Sequence, residues 1–71
     1  MDIRKVFGQN VRRYRETKGW SQEKLAEVSG LHRTYISGIE RGTRNPTILI
    51  VEQLAQALNV QPSKLLPVDE K

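Results

Sequence analysis

Apolar side chains recur along the chain at helical spacing, and no segment shows the alternation of a β-strand. A first helix is predicted over residues 2–18, because apolar positions recur there at intervals of four, four and three residues: Ile3, Phe7, Val11 and Tyr14. Gly19 follows as the left-handed stop of that helix. A second helix is predicted from Gln22 to Ser29, with Ser21 as its N-cap residue.

A third helix begins near Arg33, after Gly30 interrupts the chain. His32 lies at its N-cap position, and Gly42 ends it. Its apolar stripe consists of Ile36 and Ile39. Because these residues define one inward face, the remaining positions of this helix are expected to face away from the core.

Two more helices complete an all-α pattern. Thr47 caps the fourth, whose shared apolar face consists of Ile48, Val51, Leu54, Ala55 and Leu58. Pro62 lies in the first turn of a short fifth helix that carries Leu65 and Leu66. We expect a single domain over residues 1–67 and a frayed C-terminal tail over residues 68–71.

The second and third helices are joined by a very short turn around Gly30. A turn this tight makes the two helices cross at about 90–120°. Ala26 lies at the expected crossing, where a larger side chain would hold the helices apart. The set that defines this helix-turn-helix is Gln22, Ala26, Gly30, Ile36 and Ile39.

The charge of the chain is basic and unevenly distributed. Lysine and arginine total 12 against 8 acidic residues, and residues 1–20 alone carry six basic and two acidic side chains. A polarised basic surface is what a phosphate backbone selects. A solvated helix face explains the same charges equally well, so charge alone does not decide for nucleic acid.

Composition argues against several other classes. The chain has no cysteine, which excludes disulfides and thiolate metal sites, and a lone histidine makes no metal site. No nucleophile, histidine and carboxylate form an evident set, so we expect no enzyme, catalytic residue, metal or cofactor. Without a membrane-spanning apolar run or the apolar core of a signal peptide, a cytoplasmic protein is expected.

Several stretches resemble the XRE family, the helix-turn-helix domains of phage repressors and Cro proteins. They are GWSQEKLA at 19–26, GLHRTYIS at 30–37, IERG at 39–42, NPT at 45–47 and LAQAL at 54–58. The resemblance covers roughly residues 5–66. It implies a compact five-helix, lambda-repressor-like fold, a dimer and transcriptional control. As a bare domain, the chain also resembles the controller proteins of restriction–modification systems.

The outer side of the third helix supplies the candidate base contacts, since this helix of the motif enters the major groove. They are Arg33, Thr34 and Ser37. Arg33 suits bidentate contact with guanine, with a phosphate contact as the alternative. Ser37 can instead be simply solvated. Gly38 departs from the family, in which many members carry a long polar side chain at this position.

Phosphate contacts are expected at the start of the second helix, around the third helix and in the loop after it. The residues are Ser21, Gln22, His32, Tyr35, Arg41, Thr43, Arg44 and Asn45. Helix N-termini present free N–H groups to anions. The alternatives are ordinary capping for Ser21 and His32, and packing for Tyr35.

The resemblance also implies an ion pair between Arg15 and Glu40, partly buried, that fixes the third helix against the first. Such pairs secure geometry more reliably than they add net stability. Two unpaired surface charges are the alternative.

Apolar residues on the fourth helix extend beyond its core face, which usually marks an interface. We assign Leu49, Ile50 and Gln53 to a dimer interface, against the alternative of a wider core. The predicted protein is a C2 dimer that binds a pseudo-palindromic operator in double-stranded DNA, with recognition helices about 34 Å apart. The alternative is an antitoxin-like or bridging module with a protein partner on the fourth helix. The sequence leaves activation and repression both open.

Overall fold

The computed structural model describes residues 1–67, and within that range it is built from four α-helices and one 3₁₀-helix. The α-helices are α1 (Ile3–Thr17), α2 (Gln22–Ser29), α3 (Arg33–Arg41) and α4 (Ile48–Leu58). The 3₁₀-helix spans Pro62–Leu65. The predicted frayed tail over residues 68–71 lies outside the described residues.

The fifth predicted helix is a single turn of 3₁₀-helix and not an α-helix. Its hydrogen bonds join Lys64 N–H to the Gln61 carbonyl and Leu66 N–H to the Ser63 carbonyl, each three residues back. A segment of four residues is of the length at which proteins commonly form the tighter 3₁₀-helix. The all-α class is confirmed, and the helix count is corrected from five α-helices to four.

The helix ends lie where the sequence places their capping residues. Ser21 Oγ accepts a hydrogen bond from Lys24 N–H at 3.0 Å, and Thr47 Oγ1 accepts one from Ile50 N–H at 3.3 Å. Gly30 ends α2 with a φ of 77°, a conformation that glycine adopts at little cost. His32 occupies the N-cap position of α3, but its side chain makes no capping hydrogen bond.

The core lies where the four α-helices and the 3₁₀-helix meet. Its buried apolar residues are Phe7, Val11, Leu25, Ile36, Ile39, Leu54, Ala55, Leu58 and Leu65. Two residues that the apolar pattern puts on buried faces are largely exposed: Ile3, and Ile48 with 81% of its surface accessible. Each is the first residue of its helix, and both line an open groove.

Helix α1 packs directly against α3, the helix expected to bind DNA. A methyl group added to Gly8 would overlap the carbonyl oxygen of Ile39. The two backbones can approach this closely only because Gly8 has no side chain. Within residues 1–67, no helix has the length and apolar content to cross a membrane.

Candidate nucleic-acid interface

The turn between α2 and α3 is fixed by side chains from two helices. The buried Ser29 hydroxyl donates to the Ala26 carbonyl at 3.4 Å and accepts from Leu31 N–H at 3.3 Å. Gln53 Nε2, on α4, donates to the Ser29 carbonyl at 2.6 Å. These bonds fix where α3 begins relative to both α2 and α4.

The other end of α3 is held by a buried ion pair. Arg15 Nε lies 2.7 Å from Glu40 Oε2, and Arg15 Nη2 lies 2.9 Å from Glu40 Oε1. The two side chains are 10% and 5% exposed, and hydrogen bonding to Glu40 raises the pKa of the Arg15 guanidinium. The structure therefore brings together the two residues that the family resemblance pairs.

This ion pair reaches the start of α2 as well. Arg15 Nη1 donates to the Trp20 carbonyl at 2.7 Å, and Gln22 Nε2 donates to Glu40 Oε1 at 3.0 Å. Gln22, predicted to contact phosphate, thus has its side-chain amide turned toward Glu40. The N–H groups of Gln22 and Glu23 have no intrahelical acceptor, because they belong to the first turn.

The outward face of α3 carries the three candidate base contacts. Ile36 and Ile39 are buried, whereas Arg33 and Thr34 are exposed and Ser37 is half-buried. Arg41 Nη1 donates to Ser37 Oγ, so this serine and a predicted phosphate-binding residue contact each other. Arg33 Nε lies 3.6 Å from Glu23 Oε2 on α2.

Gly38 gives space to Arg44. A Cβ atom at Gly38 would lie 2.8 Å from Arg44 Cγ and 2.9 Å from Arg44 Nε. The Arg44 guanidinium stacks on the Tyr35 ring, 5.6 Å from its centroid. The structure thereby offers a physical reason for the glycine, since a side chain there would collide with Arg44.

The remaining predicted phosphate contacts lie at the start of α2 and at the two ends of α3. Ser21, His32, Arg41, Thr43 and Asn45 are exposed. Thr43 is also a local fixing point, because its N–H and its hydroxyl donate to the Gly38 carbonyl at 2.9 and 3.1 Å. The C-terminal end of α3 and the loop after it are therefore joined at Gly38.

The three residues predicted for a dimer interface do not share one environment. Leu49 is 73% exposed, whereas Ile50 is partly buried and packs against the core. Gln53 binds the Ser29 carbonyl of its own chain. The exposed apolar surface at the start of α4 therefore consists of Leu49 and Ile48.

Two contacts at the interface were missed by reasoning from sequence. Glu23 and Arg33 are ten residues apart and on different helices, so no helical spacing relates them. The Gln53 contact with Ser29 spans 24 residues and leaves no pattern in the chain. Within the described part of the chain, no group of three or more potential metal ligands is placed to hold an ion.

The comparisons with known proteins agree on one family. The model of the helix-turn-helix family matches residues 11–65. The control protein C.SmaI of Serratia marcescens is 53% identical over 66 residues, covering 93% of this chain and 79% of that protein.

Two solved structures are similar in fold and sequence. The restriction-modification controller protein C.AhdI from Aeromonas hydrophila superposes with a TM-score of 0.84 and 47% identity, over 87% of this chain and 94% of that one. The controller protein C.Esp1396I, solved as a tetramer in complex with its natural 35 base-pair operator, gives a TM-score of 0.84 and 38% identity, over 92% and 86%.

Proposed function

The chain belongs to the helix-turn-helix family, and from this premise we propose that it is a sequence-specific, double-stranded-DNA-binding transcription regulator of the controller type. Residues 1–67 are the DNA-binding domain, and the protein acts on double-stranded DNA in the cytoplasm. Like the relatives it resembles, it is a regulator and not an enzyme.

The observation that carries this proposal is the way α3 is held. The Arg15–Glu40 pair fixes its C-terminal end, and the Ser29–Gln53 contact fixes the turn before it. A helix fixed at both ends can present Arg33 and Thr34 to base edges in a constant orientation. Ser37 joins them once Arg41 moves from its hydroxyl to a phosphate.

Phosphate binding frames the recognition helix on both sides. At the start of α2, the backbone N–H groups of Gln22 and Glu23 bind one phosphate, together with Ser21. Arg41 at the end of α3, and Thr43 and Asn45 in the loop after it, contact the phosphate backbone, and His32 and Tyr35 add contacts at the start of α3. Arg44 contacts phosphate from the same loop, where its guanidinium stacks on Tyr35 of α3. Contacts of this kind fix the register of the protein on the duplex.

The protein binds a pseudo-palindromic operator as a homodimer, with its recognition helices about 34 Å apart. Leu49 supplies the exposed apolar surface for self-association, since an apolar side chain in water gains from burial against a second copy. A protein partner on the same surface of α4, as in an antitoxin, is the second candidate function. Light scattering separates the two, because only self-association gives a dimer from the pure chain.

The test is binding to a duplex that the protein itself selects from a random-sequence pool. Fluorescence anisotropy compares the selected duplex with a scrambled duplex of the same composition at several salt concentrations. Arg33→Ala should cost about 1–3 kcal/mol on the selected duplex and relax the preference at one base pair. Arg44→Ala should weaken both duplexes alike and lower the salt slope by about one. If the pool yields no enriched sequence, the protein is not a sequence-specific regulator.

A further inference from the structure

Glu23 is the one acidic side chain in contact with a candidate base-reading residue within residues 1–67. Its Oε2 lies 3.6 Å from Arg33 Nε. Glu23 is the second residue of α2, and Arg33 is the first residue of α3. The contact therefore spans the helix-turn-helix between the N-terminal ends of its two helices, and both side chains are exposed to an incoming duplex.

The geometry of the guanidinium gives this contact a direction. Arginine presents five N–H donors in a rigid planar fork, and bidentate binding of guanine uses two of them side by side. Because Glu23 Oε2 lies 3.6 Å from Nε, we assign the edge formed by Nη1 and Nη2 to the base. A carboxylate in this place limits the rotation of a long side chain before DNA arrives, which lowers the entropy lost on binding.

Glu23 supports base contact through Arg33, but its negative charge opposes binding of the phosphate backbone. The carboxylate belongs to the first turn of α2, where the positive end of the helix dipole stabilises it in the free protein. That same turn is the proposed phosphate site, so a carboxylate there opposes every duplex alike. The support given to Arg33 helps only a duplex that offers a guanine at the right position.

We propose that Glu23 is a specificity-determining residue, which aligns Arg33 for base contact and weakens binding to DNA that lacks the matching base. The proposal rests on the proposed function of α3. Glu23 acts through Arg33 and needs no contact with DNA itself. Glu23 therefore lowers the affinity for all DNA but raises the ratio of the affinities for matching and non-matching sequences.

Glu27 provides a matched control on the same helix. It is also exposed, and within residues 1–67 it pairs with Lys24, whose Nζ lies 3.8 Å from Glu27 Oε1, and not with Arg33. Glu23→Gln and Glu27→Gln each remove one negative charge from α2. Only the first removes the partner of Arg33, so the two variants separate a general charge effect from a specific one.

The experiment measures dissociation constants for the pool-selected duplex and its scrambled counterpart by fluorescence anisotropy. The proteins are wild type, Glu23→Gln, Glu27→Gln, Arg33→Ala and the Glu23→Gln/Arg33→Ala double variant, with folding checked by circular dichroism. In Glu23→Gln, binding to the scrambled duplex should tighten by about two- to fivefold. A change of this size corresponds to the free energy of one exposed charge interaction. Binding to the selected duplex should stay equal or weaken, so the ratio of the two constants falls.

Two further results decide the proposal. Glu27→Gln should leave the ratio unchanged, and Glu23→Gln should no longer alter it once Arg33 is alanine. If Glu23→Gln shifts both duplexes equally, or lowers the ratio just as much without Arg33, the proposed role of Glu23 is wrong. A wild-type protein that selects no sequence, or an Arg33→Ala variant that keeps the full ratio, refutes the function of α3 instead.

Discussion

Arg15 and Glu40 meet through two parallel hydrogen bonds of 2.7 and 2.9 Å, although they are 25 residues apart in the chain. The pair is nearly closed to solvent, and the third guanidinium nitrogen of Arg15, Nη1, donates to the Trp20 carbonyl. It thus joins α1, the α1–α2 connection and the end of α3. The Glu40 carboxylate therefore helps to fix the orientation of the recognition helix.

We expect Glu40→Ala to lower the free energy of unfolding by about 3–5 kcal/mol, because it leaves the Arg15 guanidinium buried and without its partner. Urea unfolding followed by circular dichroism measures the change. Glu16→Ala is the control, since Glu16 forms an exposed ion pair with Arg12 and should cost less than about 1 kcal/mol. Equal stability of Glu40→Ala and wild type would show that the pair does not hold α3.

The sequence predicts the fold well where local patterns decide it. Helix periodicity gives the four α-helices, and Ser21, Gly30, Gly42 and Thr47 set their ends. The apolar pattern predicts that Ile3 and Ile48 are buried, but both are exposed. Periodicity indicates which face of a helix points inward and does not show that the first residue extends past its neighbours. The fifth predicted helix is wrong in type because a segment of only four residues is too short for periodicity to distinguish an α-helix from a 3₁₀-helix.

The candidate site was predictable only in part. Arg33 is predicted to face outward because the apolar stripe of α3, Ile36 and Ile39, does not include it. The inward turn of Gln22 toward Glu40, and of Gln53 toward Ser29, depends on which helices become neighbours. Tertiary contacts of this kind leave no periodic signal. The sequence pattern around a polar residue on a helix is the same whether the residue contacts solvent, DNA or its own chain.

Gly38→Ala should separate stability from DNA binding. The added methyl group would lie 2.8 Å from Arg44 Cγ and so displace that flexible side chain from Tyr35. Stability should stay equal or rise by up to about 1 kcal/mol, since alanine favours a helix interior over glycine. Binding to the selected duplex should weaken about as much as in Arg44→Ala, measured by anisotropy.

The control for Gly38→Ala is the same substitution in an Arg44→Ala background. With Arg44 removed, the methyl group has no long side chain to displace, and binding should not weaken further. An additional loss there would show that Gly38 itself approaches the duplex closely.

Leu49→Ser should weaken self-association without weakening the fold. Leu49 is mostly exposed within one chain, so its replacement should change the melting temperature of the monomer little. Sedimentation velocity over a range of concentrations should show the dimer dissociating at lower concentration than wild type. Val28→Ser removes an exposed apolar side chain from α2 and should leave the dimer intact. A Leu49→Ser protein with the wild-type association constant would exclude the start of α4 from the interface.

Gln53→Leu tests whether this residue serves the turn or the dimer. Leucine has nearly the same volume but no donor, so the Ser29 carbonyl loses its 2.6 Å hydrogen bond. A partly buried acceptor without a partner costs about 1–3 kcal/mol, which should appear in urea unfolding and as weaker DNA binding.

Gln56→Leu is the matched control, because Gln56 is on the same helix and exposed. If Gln53→Leu instead lowers the dimer association constant and keeps the wild-type stability, Gln53 belongs to the dimer interface. Reduced stability with an unchanged dimer would mean that α4 positions the recognition helix through the turn. A substitution on α4 could then alter DNA binding although the substituted residue contacts neither DNA nor the second subunit.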